Sequence, residues 1–237
     1  MGKEECNMAF KEPLRTFAAS FISGLAVLVF MFLLFHESQS DLYSRIVLGG
    51  NDALNTYISR GYDVNKKFDD KTLLDAAVQN DNWYMVGKLL EKGANVNSTD
   101  HNSVTPLMRA SLNSSSAIVK LLLNHGADPT KQDDGGANAV SFAATGNPES
   151  IYLLAKAGAN INNVSKDGQT PLLTAVAHYE ETKNGYISVV TLLSLGANVD
   201  CTNKENATPI GLADQHGDTN LLQLFHKYAK VSKRVTH

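Results

Sequence analysis

The sequence predicts an all-α solenoid preceded by one membrane-spanning helix. Three observations carry that reading. A Leu-Leu stretch followed by Gly and a small residue recurs along the chain. Its glycines stand at 93, 126, 158 and 196, and Gly61 opens a degenerate copy. A Thr-Pro-apolar marker keeps the same beat, its first residues (weaker copies included) standing at 72, 105, 138, 170 and 208. Two markers with one step near ~33 residues are the signature of a repeat array. The third observation lies upstream: Phe17 to Phe35 runs with only Ser20 and Ser23 as polar side chains.

The markers explain themselves physically. Thr or Asn ahead of an apolar run caps a helix, and Pro suits the first helical position. A short helix then carries Leu and Ala on its buried face. A second helix ends in Leu-Leu, and the Gly after it takes the left-handed conformation that ends helices. One such pair cannot bury its own apolar side, so pairs stack. The residues that carry this pattern, Thr105-Pro106-Leu107, Thr170-Pro171-Leu172 and Gly93-Ala94-Asn95-Val96-Asn97 among them, resemble the ankyrin repeat family. The resemblance covers roughly 42–230 and implies about six repeats, caps included.

In chain order, residues 1–16 form an N-terminal segment holding Lys3, Lys11 and Arg15. As a helix, 17–35 would span about 28 Å, close to the thickness of a bilayer core. A retained anchor is expected, because the segment ahead of it is long and contains acids. Cleavage between Ser40 and Asp41 into a soluble periplasmic protein is the alternative. Three basic residues precede the run and only Arg45 follows closely. The positive-inside rule then places the N-terminus in the cytoplasm and the repeats in a bacterial periplasm.

Residues 36–40 are a linker and 41–230 the repeat domain, with 231–237 as a tail. Repeat 41–67 is a degenerate cap. Repeats 68–98, 99–130, 131–162 and 163–200 follow, and 201–230 closes the array. Repeat 163–200 is long at 178–186, and such insertions map to surface loops.

Composition and motifs exclude several functions. With 43% apolar residues and 19% charged, the chain is not a disordered one. A formal net charge of −3 supplies no field for nucleic acid. Cys6 and Cys201 flank the apolar run and form no disulfide framework. No phosphate loop, nucleophile elbow or zinc-helix motif is present. His178 and His216 occupy equivalent places in neighbouring repeats, without a third ligand at metal spacing. The expectation is therefore no catalytic site, no metal, no cofactor and no small-molecule substrate.

The resemblance implies a protein partner, met by the turn tips and the concave side of the first helices. Carried over by position, it selects Phe68, Asp69 and Lys71 at the first tip and His101, Asn102 and Val104 at the second. Asp134 lies at the third, Lys166, Asp167 and Gln169 at the fourth, and Lys204 and Glu205 at the fifth. Gln79, Asn80, Leu112, Asn113 and His178 sit toward the ends of the first helices. Tyr179, Glu180 and Glu181 belong to the insertion. Phe68, Val104 and Leu112 are apolar where water would favour polar side chains.

The family's His after Thr-Pro-Leu is missing throughout; Asp75, Met108, Ser141, Leu173 and Gly211 hold those places. Arg109 stands where an apolar residue is usual, with two readings: a contact in the groove, or a side chain snorkelling past its neighbours. Trp83 aligns with a position that is packed in the family. The expected function is non-catalytic protein binding from a membrane tether, as an inhibitor or immunity protein of a toxic enzyme. A membrane scaffold organising an envelope complex is the alternative.

Overall fold

The computed structural model describes residues 38–48, 50–113, 115–180 and 184–235, with the backbone alone from 230 onward. The apolar run 17–35, the segment before it, and Glu181 lie outside the described residues. Among the described residues no helix is long and apolar enough to cross a membrane.

Twelve helices are described, and they come in pairs. They are α1 (Gln39–Val47), α2 (Asn51–Ser59), α3 (Leu73–Gln79), α4 (Trp83–Glu91), α5 (Pro106–Leu112) and α6 (Ser116–Asn124). Then come α7 (Ala139–Ala143), α8 (Pro148–Lys156), α9 (Pro171–Ala177), α10 (Gly185–Ser194), α11 (Pro209–His216) and α12 (Thr219–Val235). Odd-numbered helices pack on one another to make one layer. From α4 to α10 the even-numbered helices do the same behind them. Each pair touches the pairs before and after it, which is the packing of a solenoid.

The helix starts follow from the threonines and asparagines. Thr72, Thr105, Thr170 and Thr208 each accept a hydrogen bond from the backbone N–H three residues on, and Asn138 does so in the weak third copy. Such a cap is worth about 1 kcal/mol. At the other end, Gly93 has φ +82° and lets the Ala94 N–H reach back to the Leu89 carbonyl at 2.9 Å. The core repeats with the same period. Val86, Val119, Ile151 and Val189 hold one place in successive outer helices, Leu89, Leu122, Leu154 and Leu192 another, and all are fully buried. Burial of one such side chain contributes about 2 kcal/mol.

The two ends of the domain differ from the expected bounds. α1 starts at Gln39, inside the stretch expected as linker, because Ser38 caps it in a reciprocal box with Asp41. Gln39 is also tied to the stack, donating to the Tyr57 hydroxyl at 2.8 Å. At the far end α12 continues to Val235, through most of the expected tail. α7 is the shortest of the described helices, and its repeat is one residue short: Gly158 stands 20 residues after Asn138, whereas Gly93 and Gly126 stand 21 after Thr72 and Thr105.

Candidate protein-binding surface

The turn tips are joined into one ribbon. Each tip is a tight reversal closed by its own backbone bonds, such as Asp133 N–H to the Ala137 carbonyl at 2.9 Å and Gly136 N–H to Asp133 at 2.9 Å. Successive tips are then linked by main chain: Asp134 N–H to the Asn102 carbonyl (2.9 Å), Lys166 N–H to Gly135 (2.8 Å) and Lys204 N–H to Asp167 (3.1 Å). Glycine permits this approach. A Cβ on Gly168, whose φ is +78°, would stand 3.0 Å from both Asn203 Cα and Lys204 N. The first tip joins differently, because its reversal is one residue shorter. His101 Nδ1 meets Asp70 Oδ2 at 3.1 Å, and Lys67 Nζ donates to the Thr99 carbonyl at 2.6 Å. Desolvation pushes the Asp70 carboxyl up, but the hydrogen bonds from Lys67 and His101 and the charge of Lys67 together outweigh it and hold the group below its ordinary value.

Most of the tip residues picked from the sequence lie on this ribbon. Asp69, His101, Asn102, Asp134, Lys166, Asp167, Lys204 and Glu205 are exposed there; Lys71 and Gln169 are half-buried beside them. Two apolar members differ from expectation. Phe68 stacks on Tyr43 of the first repeat, ring centroids 4.1 Å apart, with Lys66 Nζ over it. Val104 packs against the core cluster. Phe68 is held by packing between repeats, and Val104 by contact with the core. Leu112 alone of the three stands well out, 50% exposed.

The first-helix ends hold a mixture. Gln79 is exposed and receives Lys71 Nζ at 3.2 Å. Asn80 and Asn113 are exposed, yet each turns its amide back to the preceding repeat. Asn80 donates to the Val47 carbonyl, and Asn113 to Val78 at 3.3 Å and Gln79 at 3.4 Å. They occupy open carbonyls at the ends of the neighbouring helices, a role the sequence reading did not assign them.

Arg109 is not a free groove contact. Its guanidinium pairs with Asp100, and its Nε lies 4.0 Å from Asp75 Oδ1. Asp75 is fully buried, and its other oxygen accepts from Thr72 in the α3 cap. Arg109 thus stands beside a buried carboxylate that occupies the family's histidine place.

The insertion is latched to the last repeat. Tyr179 meets His216 edge to face at 4.9 Å, and its hydroxyl donates to Glu180 Oε1 at 3.0 Å. Glu180 Oε2 lies 3.6 Å from His216 Nδ1. Desolvation first, then the Glu180 and Asp218 carboxylates, push the Tyr179 phenol up to about 12. His178 faces its own helix instead, Nδ1 against the Thr174 carbonyl at 3.0 Å. Among the described residues no group of His, Cys, Asp or Glu is placed to hold a metal. Trp83 differs from expectation: it is 58% exposed at the start of α4.

One structural set went unrecognised in the sequence. Asn65, Asn97 and Asn162 each clamp the next repeat's glycine turn from both sides. Asn162 donates to the Gly196 carbonyl at 3.2 Å and accepts from Asn198 N–H at 2.8 Å. Asn97 does the same to Gly126 and Asp128. The final Asn or Asp of each Gly-Ala-x-x-Asn copy was the available signal. Thr130 breaks the series and binds Asp128 instead.

Comparison with known proteins agrees with this architecture. The family model described as ankyrin repeats (3 copies) matches residues 44–133, and a second, ankyrin repeat, matches 167–204. Zygote-specific protein 3 of Chlamydomonas reinhardtii is 43% identical over 94 residues, 39% of this chain and 24% of that protein. The human 2-5A-dependent ribonuclease is 46% identical over 77 residues, 32% of this chain and 10% of that one. Inversin of Canis lupus familiaris is 32% identical over 131 residues, 54% and 12% of the two chains. The matches thus span about a quarter or less of these relatives, and the ribonuclease activity in one name belongs to that protein.

Proposed function

Because this chain belongs to the ankyrin repeat family, we propose that its protein–protein interaction module binds one partner through the turn ribbon and the adjoining ends of the first helices, without catalysis. The observation that supports this most is the backbone link from tip to tip at Asn102–Asp134, Gly135–Lys166 and Asp167–Lys204. It holds exposed charged and polar side chains in fixed spacing, so little ordering cost falls on binding. A photoreactive amino acid placed at Asn102, Lys166 or Lys204 should crosslink the partner in intact cells. The same group at Lys156, exposed on α8, should not. Crosslinking from Lys156 alone would overturn the assignment of the face.

The reading extends to a tether. The apolar run 17–35 is long enough for a bilayer, and the basic residues before it favour a cytoplasmic N-terminus with the repeats in the periplasm. A C-terminal reporter active only in the cytoplasm would reverse that topology if it gave signal. The mass of the mature protein distinguishes a retained anchor from cleavage after Ser40. Within this setting the module acts as an inhibitor or immunity protein, occluding a toxic or hydrolytic enzyme. The scaffold reading draws on a different fact: α1 starts at Gln39, only four residues beyond Phe35, so an anchor would hold the stack against the membrane. Replacing 17–35 by a cleavable signal separates the two. An inhibitor keeps its function when released, and a scaffold loses it.

A further inference from the structure

The edge of the stack opposite the tip ribbon exposes large apolar side chains in its first three repeats. The odd-numbered helices start at the tips, so their far ends, with the joints to the even-numbered helices, form this second edge. Leu48 stands 86% exposed at the first joint. The second joint is stitched to the first: Asn80 donates to the Val47 carbonyl, and the Asn82 amide to Asn51 Oδ1 at 3.4 Å. Trp83 and Tyr84 follow directly, 58% and 43% exposed. Leu112, 50% exposed, ends α5 at the third joint, where Asn113 reaches back to the second. Residues 144–147, at the fourth joint, expose no large apolar side chain, and Tyr186 and Ile187 stand out only beyond that break.

We propose that this joint edge rests in the headgroup layer of the bilayer that holds residues 17–35, with the tip ribbon turned away toward its partner. The inference rests on the tether reading above. The reach of the chain allows it. Phe35 to Gln39 is four steps, about 14 Å when extended, and α1 has nine residues, about 13 Å of helix. The chain can climb from the bilayer to the start of α1, and α1 brings Leu48 back down to it. The same reach would let the tips face the membrane, so side-chain chemistry has to separate the two edges. The tips expose Asp69, Asp134, Lys166 and Asp167, with Val164 the one large exposed apolar side chain beside them among the described residues. Those charges favour water. Trp and Tyr join an apolar body to a polar end and collect at membrane–water interfaces. Asp52 and Asp81 are exposed beside the patch, so apolar insertion holds it rather than attraction to anionic lipid. Segment 17–35 is not the cover, because a helix apolar all round would stay mostly bare on four side chains.

Trp83 is the single tryptophan of the chain and reports on the contact. The full chain is reconstituted in phosphatidylcholine vesicles whose acyl chains carry bromine near the headgroup. Away from a bilayer the indole is solvated; in the vesicles its emission should move to shorter wavelength, and bromolipid should cut it about twofold. Salt at about 1 M should leave that quenching in place. A chain with its tryptophan at a tip instead (Trp83→Phe with Asn102→Trp) should be open to aqueous iodide and unaffected by bromolipid. Leu48→Glu should weaken bromolipid quenching of Trp83 at unchanged helix content. If the chain floats with the vesicles while Trp83 is open to iodide and untouched by bromolipid, the proposal is overturned and the tether stands. Trp83 shielded from both quenchers means that protein covers the edge, which also overturns it, as does equal bromolipid quenching in a folded Leu48→Glu variant. A chain that fails to float with the vesicles overturns the tether itself and this inference with it.

Discussion

Asp75 and Arg109 occupy two places where this chain departs from its family's pattern, and each accounts for the other. A fully buried carboxylate needs partners, and the α3 cap supplies them for one oxygen only. The other faces Arg109 Nε at 4.0 Å. Removing one member of a buried pair leaves the other uncompensated. Arg109→Ala should therefore lower the unfolding free energy by roughly 2–3 kcal/mol, discounted because the arginine is partly exposed. Urea denaturation measures it. Asp75→Asn combined with Arg109→Met should cost much less; equal losses would show that the pairing is irrelevant. Cys201 offers a second check. Desolvation raises its thiol above the ordinary value of 9.0, although Thr170 Oγ1 at 3.3 Å acts the other way. A folded pKa above the unfolded one adds stability that is complete below pH 9 and fades as pH climbs through the folded value. In a Cys6→Ser chain, the thiol should react with a disulfide reagent at pH 8 several-fold more slowly folded than in urea.

At the scale of elements, neighbouring repeats are held by polar stitches laid over the apolar core. Asn162 makes two hydrogen bonds to the next glycine turn, so Asn162→Ala should cost about 1–2 kcal/mol. Thr130 holds the equivalent place without that stitch. Thr130→Asn should raise the thermal midpoint, and a drop would mean that the Asp128–Thr130 contact matters more than the missing clamp. The tips make a sharper demand. Gly168 combines φ +78° with a neighbour 3.0 Å from its would-be Cβ. Gly168→Ala should open the link between the fourth and fifth tips, cost about 1–2 kcal/mol, and weaken partner capture more than stability. Hydrogen exchange at the Lys204 amide reads the link directly.

At the scale of the whole molecule, the main helix–helix contacts among the described residues join each repeat to its neighbours. Stability is then a sum of local terms and fraying begins at ends. Amide exchange should be slowest in α5 to α9 and fastest in α1 and α12; a uniform profile would refute that gradient. Trp83 is the single tryptophan of the chain. At 58% exposed, it should emit as a solvated indole and shift little on unfolding.

The sequence by itself determined the fold of the array. Its period, caps and glycine turns are local devices, each readable within a few residues. Helix starts at Thr72, Thr105, Thr170 and Thr208 therefore stand where the pattern puts them. Much of the tip ribbon was legible too, because tips follow from the period. Which side chains on it are available was not. Phe68, Asn80, Asn113 and Arg109 are engaged by groups some 9 to 35 residues away in sequence, Val104 packs on the core, and Trp83 is left outside. The tertiary structure decided those cases. A repeat's surface is completed by the next repeat, and spacing along one chain does not say which side chain meets which across that joint.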